Sequence, residues 1–283
     1  MKYISVAEAA KRWELSARTV RNYCAQGKIP DAFLTGKTWN IPELARRPDR
    51  ANKSAKSRST LGIVLQEEKM AKIPRGIYQK LQIDLAYNSN HMEGNRLTQK
   101  QIEHIFETNT IGVDTGVVNV DDVVAIVNHF RGVDMVVDSM SYVLSETFIK
   151  QLHEVLTNGR GDECSDSSGD VKRNEQKAKE VKKLLLSYNA KKEKDLEEII
   201  EFHYRFETMQ FYQVGNGCIG RLILLKECLR NRIVPFIIEE KLKMFYHHGL
   251  REWKNEKDYL YSTCLRAQDK FKQVLDSFYI TYS

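Results

Sequence analysis

The chain has no apolar run that approaches 18 residues, which argues against a membrane-spanning helix. Its first residues lead directly into a charged helical pattern, so we expect no secretory signal. The five cysteines are scattered and form no Cys-x-x-Cys pair, which argues against a disulfide framework or a zinc ribbon. These absences predict a cytoplasmic protein with no membrane partner and no metal site of its own. The composition, 42% hydrophobic and 29% charged, is typical of folded globular domains.

Positive charge is concentrated in the first part of the chain. Residues 1–60 contain 13 lysines and arginines against 5 acidic residues, whereas the whole chain has a formal net charge of +6. The first 60 residues therefore carry +8 and the remainder about −2. A basic head on a near-neutral body predicts a nucleic-acid contact at the N-terminus. A basic linker on a solvated face is the alternative.

The N-terminal segment has the pattern of a small helix-turn-helix unit with a wing. Ser5 can cap a helix over about residues 6–14, and Ser16 a second helix through about residue 26. Two short strands that turn at residues 36–37 follow. The order resembles the winged helix-turn-helix modules of the MerR and excisionase type over about 45 residues. A small helical packing or protein-interaction domain is the alternative.

The second helix and the wing carry side chains suited to phosphates and base edges. These candidate DNA-binding residues are Arg18, Arg21, Asn22 and Lys37. We assign residues 1–48 to this domain and residues 49–60, rich in serine and basic residues, to a basic linker. Since dimers usually read specific sites, we expect duplex DNA as a partner and a homodimer.

Residues 61–283 show helical periodicity almost throughout, so the fold class is mainly α. Helix N-caps are predicted at Thr98, Asn119 and Ser145. Residues 219–229 are apolar nearly all round, which predicts a central buried helix. Residues 158–175 are rich in Gly, Ser, Asp and Lys and predict a mobile loop.

A candidate phosphate site precedes the central helix. Gly215, Asn216 and Gly217 allow a close backbone approach to a ligand, and free N–H groups at a helix start attract phosphate. Arg221, one turn into the helix, can add a fork of donors. A simple turn is the alternative.

Residues 210–221 read Q-F-Y-Q-V-G-N-G-C-I-G-R and resemble the Fic (Fido) pattern H-P-F-x-[DE]-G-N-G-R-x-x-R. The flanking residues 199–209 and 222–238 look like that family, as does most of residues 76–280. The resemblance implies a Fic-type helical bundle related to protein adenylyltransferases, which transfer AMP from ATP to a protein hydroxyl. It assigns nucleotide binding to Gly215, Asn216, Gly217 and Arg221. A winged module fused to a Fic domain is similar to known relatives.

A second motif lies about 120 residues earlier. Residues 89–94 read S-N-H-M-E-G and match the family's inhibitory pattern [ST]-x-x-x-E-[GN]. The resemblance implies an inhibitory helix at about residues 76–94, with inhibitory residues Ser89, Glu93 and Gly94. Its glutamate would reach Arg221 and obstruct the γ-phosphate. A surface carboxylate at a helix end is the alternative.

Three positions depart from the Fic pattern. Gln210 replaces the family's catalytic histidine, Val214 its metal-holding acid, and Cys218 its first arginine. No catalytic position is therefore intact. We expect ATP as a possible ligand, no Mg²⁺ held by the protein, and a protein target or antitoxin-like partner. The expected target-docking flap is shortened or replaced by the polar loop near residues 158–175.

No other side chain is expected to take over the chemistry. His203 lies seven residues before Gln210, about 10 Å along a helix, and is predicted to satisfy a partly buried hydrogen bond. Cys218 is interpreted as a structural or drifted thiol rather than a nucleophile, because no base is evident beside it. The preferred hypothesis is a DNA-binding regulator with an impaired, nucleotide-sensing Fic domain. The alternatives are an active, autoinhibited adenylyltransferase that uses non-standard motif residues, and a decayed site.

Overall fold

A computed structural model describes residues 3–13, 15–25, 29–30, 32–35, 38–45, 60–112, 117–160, 171–212 and 214–282. The chain divides into two compact units, Met1–Ser57 and Arg58–Ser283. Residues 49–59 of the predicted basic linker lie outside the described residues.

The first unit contains a three-stranded antiparallel sheet and two helices. Its elements are β1 (Tyr3–Ser5), α1 (Val6–Trp13), α2 (Ala17–Ala25), β2 (Phe33–Thr35) and β3 (Thr38–Pro42), with the strand order β1-β3-β2. Ser5 Oγ and Ser16 Oγ accept the backbone N–H groups of Glu8 and Thr19, which confirms both predicted caps. The sequence does not predict β1, because three residues are too few to show a strand period. The winged helix-turn-helix class of this unit stays a prediction.

The described residues of the second unit form a helical body. Its helices are α3 (Thr60–Ala71), α4 (Ile77–Met92), α5 (Gln99–Thr108), α6 (Val120–Ser139), α7 (Glu146–Thr157), α8 (Val171–Asn189), α9 (Leu196–Met209), α10 (Asn216–Arg230), a 3₁₀ helix (Glu240–Leu242), α11 (Lys243–Glu252) and α12 (Asp258–Ser277). None of the helices described is long and apolar enough to cross a membrane.

The predicted N-caps of the body are confirmed. Thr98 and Gln101 form a reciprocal capping box at the start of α5. Asn119 and Ser145 accept backbone N–H groups at the starts of α6 and α7. These caps are local interactions, which is why the sequence predicts them.

The predicted loop at residues 158–175 is too long at its C-terminal end, because α8 begins at Val171. Residues 161–170 lie outside the described residues. Lysines and glutamates are good helix formers, and an apolar stripe of Val181, Leu184 and Leu185 buries α8 against the core. Polar composition was therefore a poor guide to the start of this helix.

Helix α10 runs through the centre of the body, as the sequence predicts. It packs against α4, α6, α7 and α9. Leu222 and Ile219 are fully buried, and a Cβ on Gly132 of α6 would lie 2.9 Å from Leu222 Cδ1. The N-terminus of α10 lies beside the C-terminal ends of α4 and α9 and is hydrogen-bonded to both.

Candidate functional site

The turn between α9 and α10 presents backbone donors. Gln210 ends α9 in the left-handed region (φ 42°), and Gly215 (φ 79°) is the N-cap of α10. The first helical bond of α10 runs from the N–H of Ile219 to Gly215 O. The N–H groups of residues 216–218 therefore precede the hydrogen-bond ladder at the positive end of the helix. We call these residues and Arg221 the anion cradle.

The side chain of Asn216 ties this turn to α9. It is buried, and its Oδ1 accepts the backbone N–H of Tyr212 at 3.4 Å. Its Nδ2 donates to Glu207 Oε2 at 3.4 Å. Asn216 therefore links the first residue of α10 to both the turn and the last part of α9.

Arg221 joins α10 to α4. Its Nε donates to Ser89 Oγ at 2.9 Å, and its Nη2 donates to Ser89 O at 3.0 Å. Nη2 also donates to Glu93 Oε1 at 2.8 Å. The Arg221 side chain is only 4% exposed, whereas that of Glu93 is 44% exposed. Three of the predicted site residues thus meet in one contact.

The carboxylate of Glu93 lies over the start of α10. Glu93 is the C-cap of α4, and Gly94 follows it in the left-handed region (φ 95°). A Cβ on Gly217 would come 2.3 Å from Glu93 Oε1 and 2.9 Å from Arg221 Nη1. Because Gly217 is a glycine, there is room beside it for an anionic group, and the Glu93 carboxylate occupies that room. Phosphate oxygens suit the same donors once Glu93 moves away.

The three departing motif residues provide little reactive chemistry. The Gln210 backbone oxygen accepts Lys177 Nζ from α8. Val214 is a partly buried apolar side chain. Cys218 is buried, and its Sγ lies 3.8 Å from Arg221 Nη2. Burial raises the pKa of the thiol, so the thiol stays neutral. Within the ranges described, no three His, Cys, Asp or Glu side chains are grouped to hold a metal ion.

His203 makes the buried hydrogen bond that the sequence predicts. Its Nε2 lies 2.6 Å from the hydroxyl of Tyr246 on α11. Burial, reinforced by the charge of Arg221, lowers the pKa of His203 to about 3, so the ring is neutral near pH 7. His203 therefore cannot supply a cation to the cradle.

Two groups of residues near the site are missed by the sequence patterns. Glu207 faces Asn216 from α9, four residues after His203 on the same buried face. That spacing is the signal that could have found it.

On α11, Lys243 Nζ donates to Met92 O at 3.0 Å and holds the end of α4. Burial and then the charge of Arg221 lower the pKa of His247.

The candidate DNA-binding residues are only partly described. Arg21 is exposed on α2. The side chains of Arg18 and Asn22, and all of Lys37, lie outside the described residues. Their assignment stays a prediction.

The fold and the turn define a helical protein in which backbone N–H donors are presented ahead of a buried central helix. Residues 143–228 match the Fic/DOC family. No curated protein sequence matches the chain.

Solved structures of Fic proteins share the fold. A Fic domain containing signalling protein from Bacteroides thetaiotaomicron is 18% identical, with a TM-score of 0.58 over 76% of this chain and 94% of that one. Fic-1 from C. elegans is 16% identical, with a TM-score of 0.60 over 80% and 73%. A Fic family protein from Desulfovibrio desulfuricans G20 is 18% identical, with a TM-score of 0.56 over 77% and 72%.

Proposed function

We propose that the helical body binds a nucleoside triphosphate such as ATP at the anion cradle, under the control of Glu93. The observation that carries the proposal is the Glu93 carboxylate on Arg221, directly over Gly217. A carboxylate at this place is stabilised by a buried guanidinium and a helix N-terminus. Phosphate oxygens are recognised by the same groups.

The residues present fit a phosphate chain better than they fit a metal. Residues 216–218 and Arg221 would hold phosphate oxygens, and Gly217 leaves space for them. Bound ATP supplies the AMP group and the phosphoanhydride bond. The Val214 side chain offers no oxygen ligand, so a divalent ion would arrive on the nucleotide rather than on the protein.

We further propose that AMP transfer to a protein hydroxyl is lost or strongly reduced. The Gln210 amide cannot accept a proton near neutral pH, and absence of a general base costs about 10²–10⁴-fold in rate. The neutral thiol of Cys218 adds no cation. The body then acts as a nucleotide-sensing module rather than an efficient transferase.

The N-terminal unit completes the proposal as a DNA-binding module. Its support is the net charge of +8 in residues 1–60 and the exposed Arg21 on α2. We propose a homodimer on duplex DNA, with a protein target or antitoxin-like partner for the body. Binding of a nucleotide at the anion cradle would then regulate the complex that forms on DNA.

Calorimetry with ATP and an assay with α-labelled ATP test the proposal. Parent protein, Glu93→Gly and the matched Glu93→Gln variant are compared. We expect Glu93→Gly to bind ATP at least tenfold more tightly than the parent does, and Glu93→Gln to have an intermediate affinity. We expect no label transfer by any of the three proteins. Failure of Glu93→Gly to bind ATP would overturn nucleotide binding. Label transfer that disappears on Asn216→Ala would instead establish the autoinhibited adenylyltransferase.

A further inference from the structure

Glu207 lies between α9 and α10, beneath the anion cradle. Its Oε2 accepts a hydrogen bond from Asn216 Nδ2 at 3.4 Å. Its Oε1 faces the backbone of α10, where a Cβ on Gly220 would come 2.3 Å from it. Among the described residues, this buried oxygen has no hydrogen-bond partner. The side chain is 15% exposed, so water does little to stabilise a charge on it.

Groups from four elements face the Glu207 carboxyl. Those that bear on its charge are His203 on α9, Asn216 and Arg221 on α10, Glu93 at the end of α4, and Tyr246 on α11. His247 on α11 faces the Arg221 and Glu93 pair. Of these, Arg221 is the cation, and it is already bound to Ser89 and Glu93.

The balance of these groups favours the uncharged acid. The pKa of Glu207 is raised to about 7, with burial as the main cause and the charge of Glu93 acting in the same direction. Arg221 and the hydrogen bond from Asn216 act in the opposite direction. His203 is neutral, so it does not compensate a charge on Glu207. Near pH 7 the carboxyl therefore changes its charge readily.

A phosphate chain in the cradle would add negative charge close to Arg221. An ionised Glu207 would then repel the ligand and compete for the same guanidinium. The uncharged acid keeps its carbonyl oxygen as an acceptor for Asn216 without that repulsion. We propose that Glu207 is a positioning residue of the anion cradle: it holds Asn216 as a neutral carboxylic acid and takes up a proton from solvent when an anion binds.

This inference rests on the proposed nucleotide binding, and its test separates the two. In the Glu93→Gly background, ATP affinity is measured from pH 6.0 to 8.5 with Glu207, Glu207→Gln and Glu207→Ala. The Gln side chain keeps an acceptor for Asn216 and does not titrate. We expect the affinity with Glu207 to fall at least fivefold relative to Glu207→Gln as the pH rises. Glu207→Ala should bind weakly throughout.

ATP and His247 titrate in both proteins, so their contributions cancel when the pH profile with Glu207 is compared with that of Glu207→Gln. Calorimetry at pH 7.5 in two buffers of different ionisation heat should show proton uptake that Glu207→Gln reduces. Equal pH profiles for Glu207 and Glu207→Gln would overturn this inference while leaving nucleotide binding intact. Absence of ATP binding at every pH would overturn the proposed function.

A ligand-free measurement tests the protonation of Glu207 independently of ATP binding. Carboxyl ¹³C resonances of glutamate-labelled protein are titrated, and the Glu207 signal is assigned by its loss in Glu207→Gln. A midpoint well above 4.5 supports the inference, and one at or below 4.5 overturns it.

Discussion

Arg221 Nη2 donates a hydrogen bond to Glu93 Oε1 at 2.8 Å, across 128 residues of sequence. The pair is asymmetric, because Arg221 is buried and Glu93 is nearly half exposed. Arg221 also has two bonds to Ser89, so the guanidinium keeps partners when Glu93 leaves. Glu93 is therefore the movable member of the pair and Arg221 the fixed one.

Restoring the reactive groups tests whether the cradle is otherwise intact. In the Glu93→Gly background, Gln210→His with Val214→Asp should give AMP transfer at least 100-fold above that of the background, measured with α-labelled ATP. Histidine tolerates the left-handed backbone of residue 210 better than most residues. The matched control adds Asn216→Ala and should lose the transfer. Unchanged transfer in the restored protein, with ATP bound, would mean that the geometry of the turn is also lost.

Gly217→Ala should remove nucleotide binding without unfolding the protein. Its Cβ would enter the space that Glu93 Oε1 occupies, 2.3 Å away, which is the space proposed for phosphate. Alanine in a helix is about 1 kcal/mol more favourable than glycine, which offsets part of the cost of displacing Glu93 Oε1 and Arg221 Nη1, so the free energy of unfolding in urea should change by no more than about 1 kcal/mol.

Gly220→Ala is compared with that change for stability alone, because it contacts Glu207 beneath the cradle. A Cβ there would meet Glu207 Oε1 at 2.3 Å and His203 Cε1 at 3.0 Å, both buried. We expect a loss of about 1–3 kcal/mol in the free energy of unfolding from overpacking. Retained ATP affinity in Gly217→Ala would place the phosphates elsewhere.

Ser89→Ala should destabilise the body by about 1–3 kcal/mol in urea unfolding. The hydroxyl accepts Arg221 Nε at 2.9 Å, and its removal leaves a buried charged donor short of a partner. Ser187→Ala is the control, because the exposed Ser187 hydroxyl donates to Leu184 O in the same helix, and we expect a change within about 0.5 kcal/mol. Equal effects would show that the Ser89 contact contributes little.

The free energy of unfolding should depend on pH through Glu207. Its pKa is about 7 in the folded protein and about 4.3 when unfolded, so the folded state binds the proton more tightly. The resulting stabilisation is fully present below about pH 4 and is lost as the pH rises to about 7. Relative to Glu207→Gln, the parent should lose about 3 kcal/mol over this window and little above it. Parallel unfolding curves for the two proteins between pH 5 and 8 would contradict this expectation.

Arg21→Ala should weaken binding of random-sequence duplex DNA and flatten its dependence on salt. The exposed Arg21 is proposed to contact phosphate, and each such contact contributes about one unit to the slope of log affinity against log salt. Fluorescence anisotropy at two salt concentrations measures both quantities. Arg96→Ala is the control, because Arg96 is an exposed arginine of the body. A larger loss with Arg96→Ala would place the DNA contact on the body.

Short-range patterns predicted much of the fold. The caps at Thr98 and Ser145 and the buried central helix were predicted correctly, because they depend on residues within about one helix turn of each other. The start of α8 was predicted wrongly, because a polar segment becomes helical when Val181 and Leu184 find a core to pack against. Strand β1 was missed because pairing with β3 creates it.

The candidate site divides in the same way. The sequence motifs point to Glu93 and Arg221. The neighbouring sequence does not indicate that Arg221 is buried and Glu93 is exposed. Glu207 has only its four-residue spacing from His203 as a local signal, and Lys243 has none. Their roles follow from neighbours on other helices.

The order of the motifs and the starts of several helices were determined by the sequence alone, since hydrogen bonds between near neighbours decide them. Only the tertiary structure decided that the end of α4 covers the start of α10, and that Glu207 is enclosed with little water. Charge states and ion pairs depend on desolvation and on distant side chains. Packing brings those together only after the chain has folded.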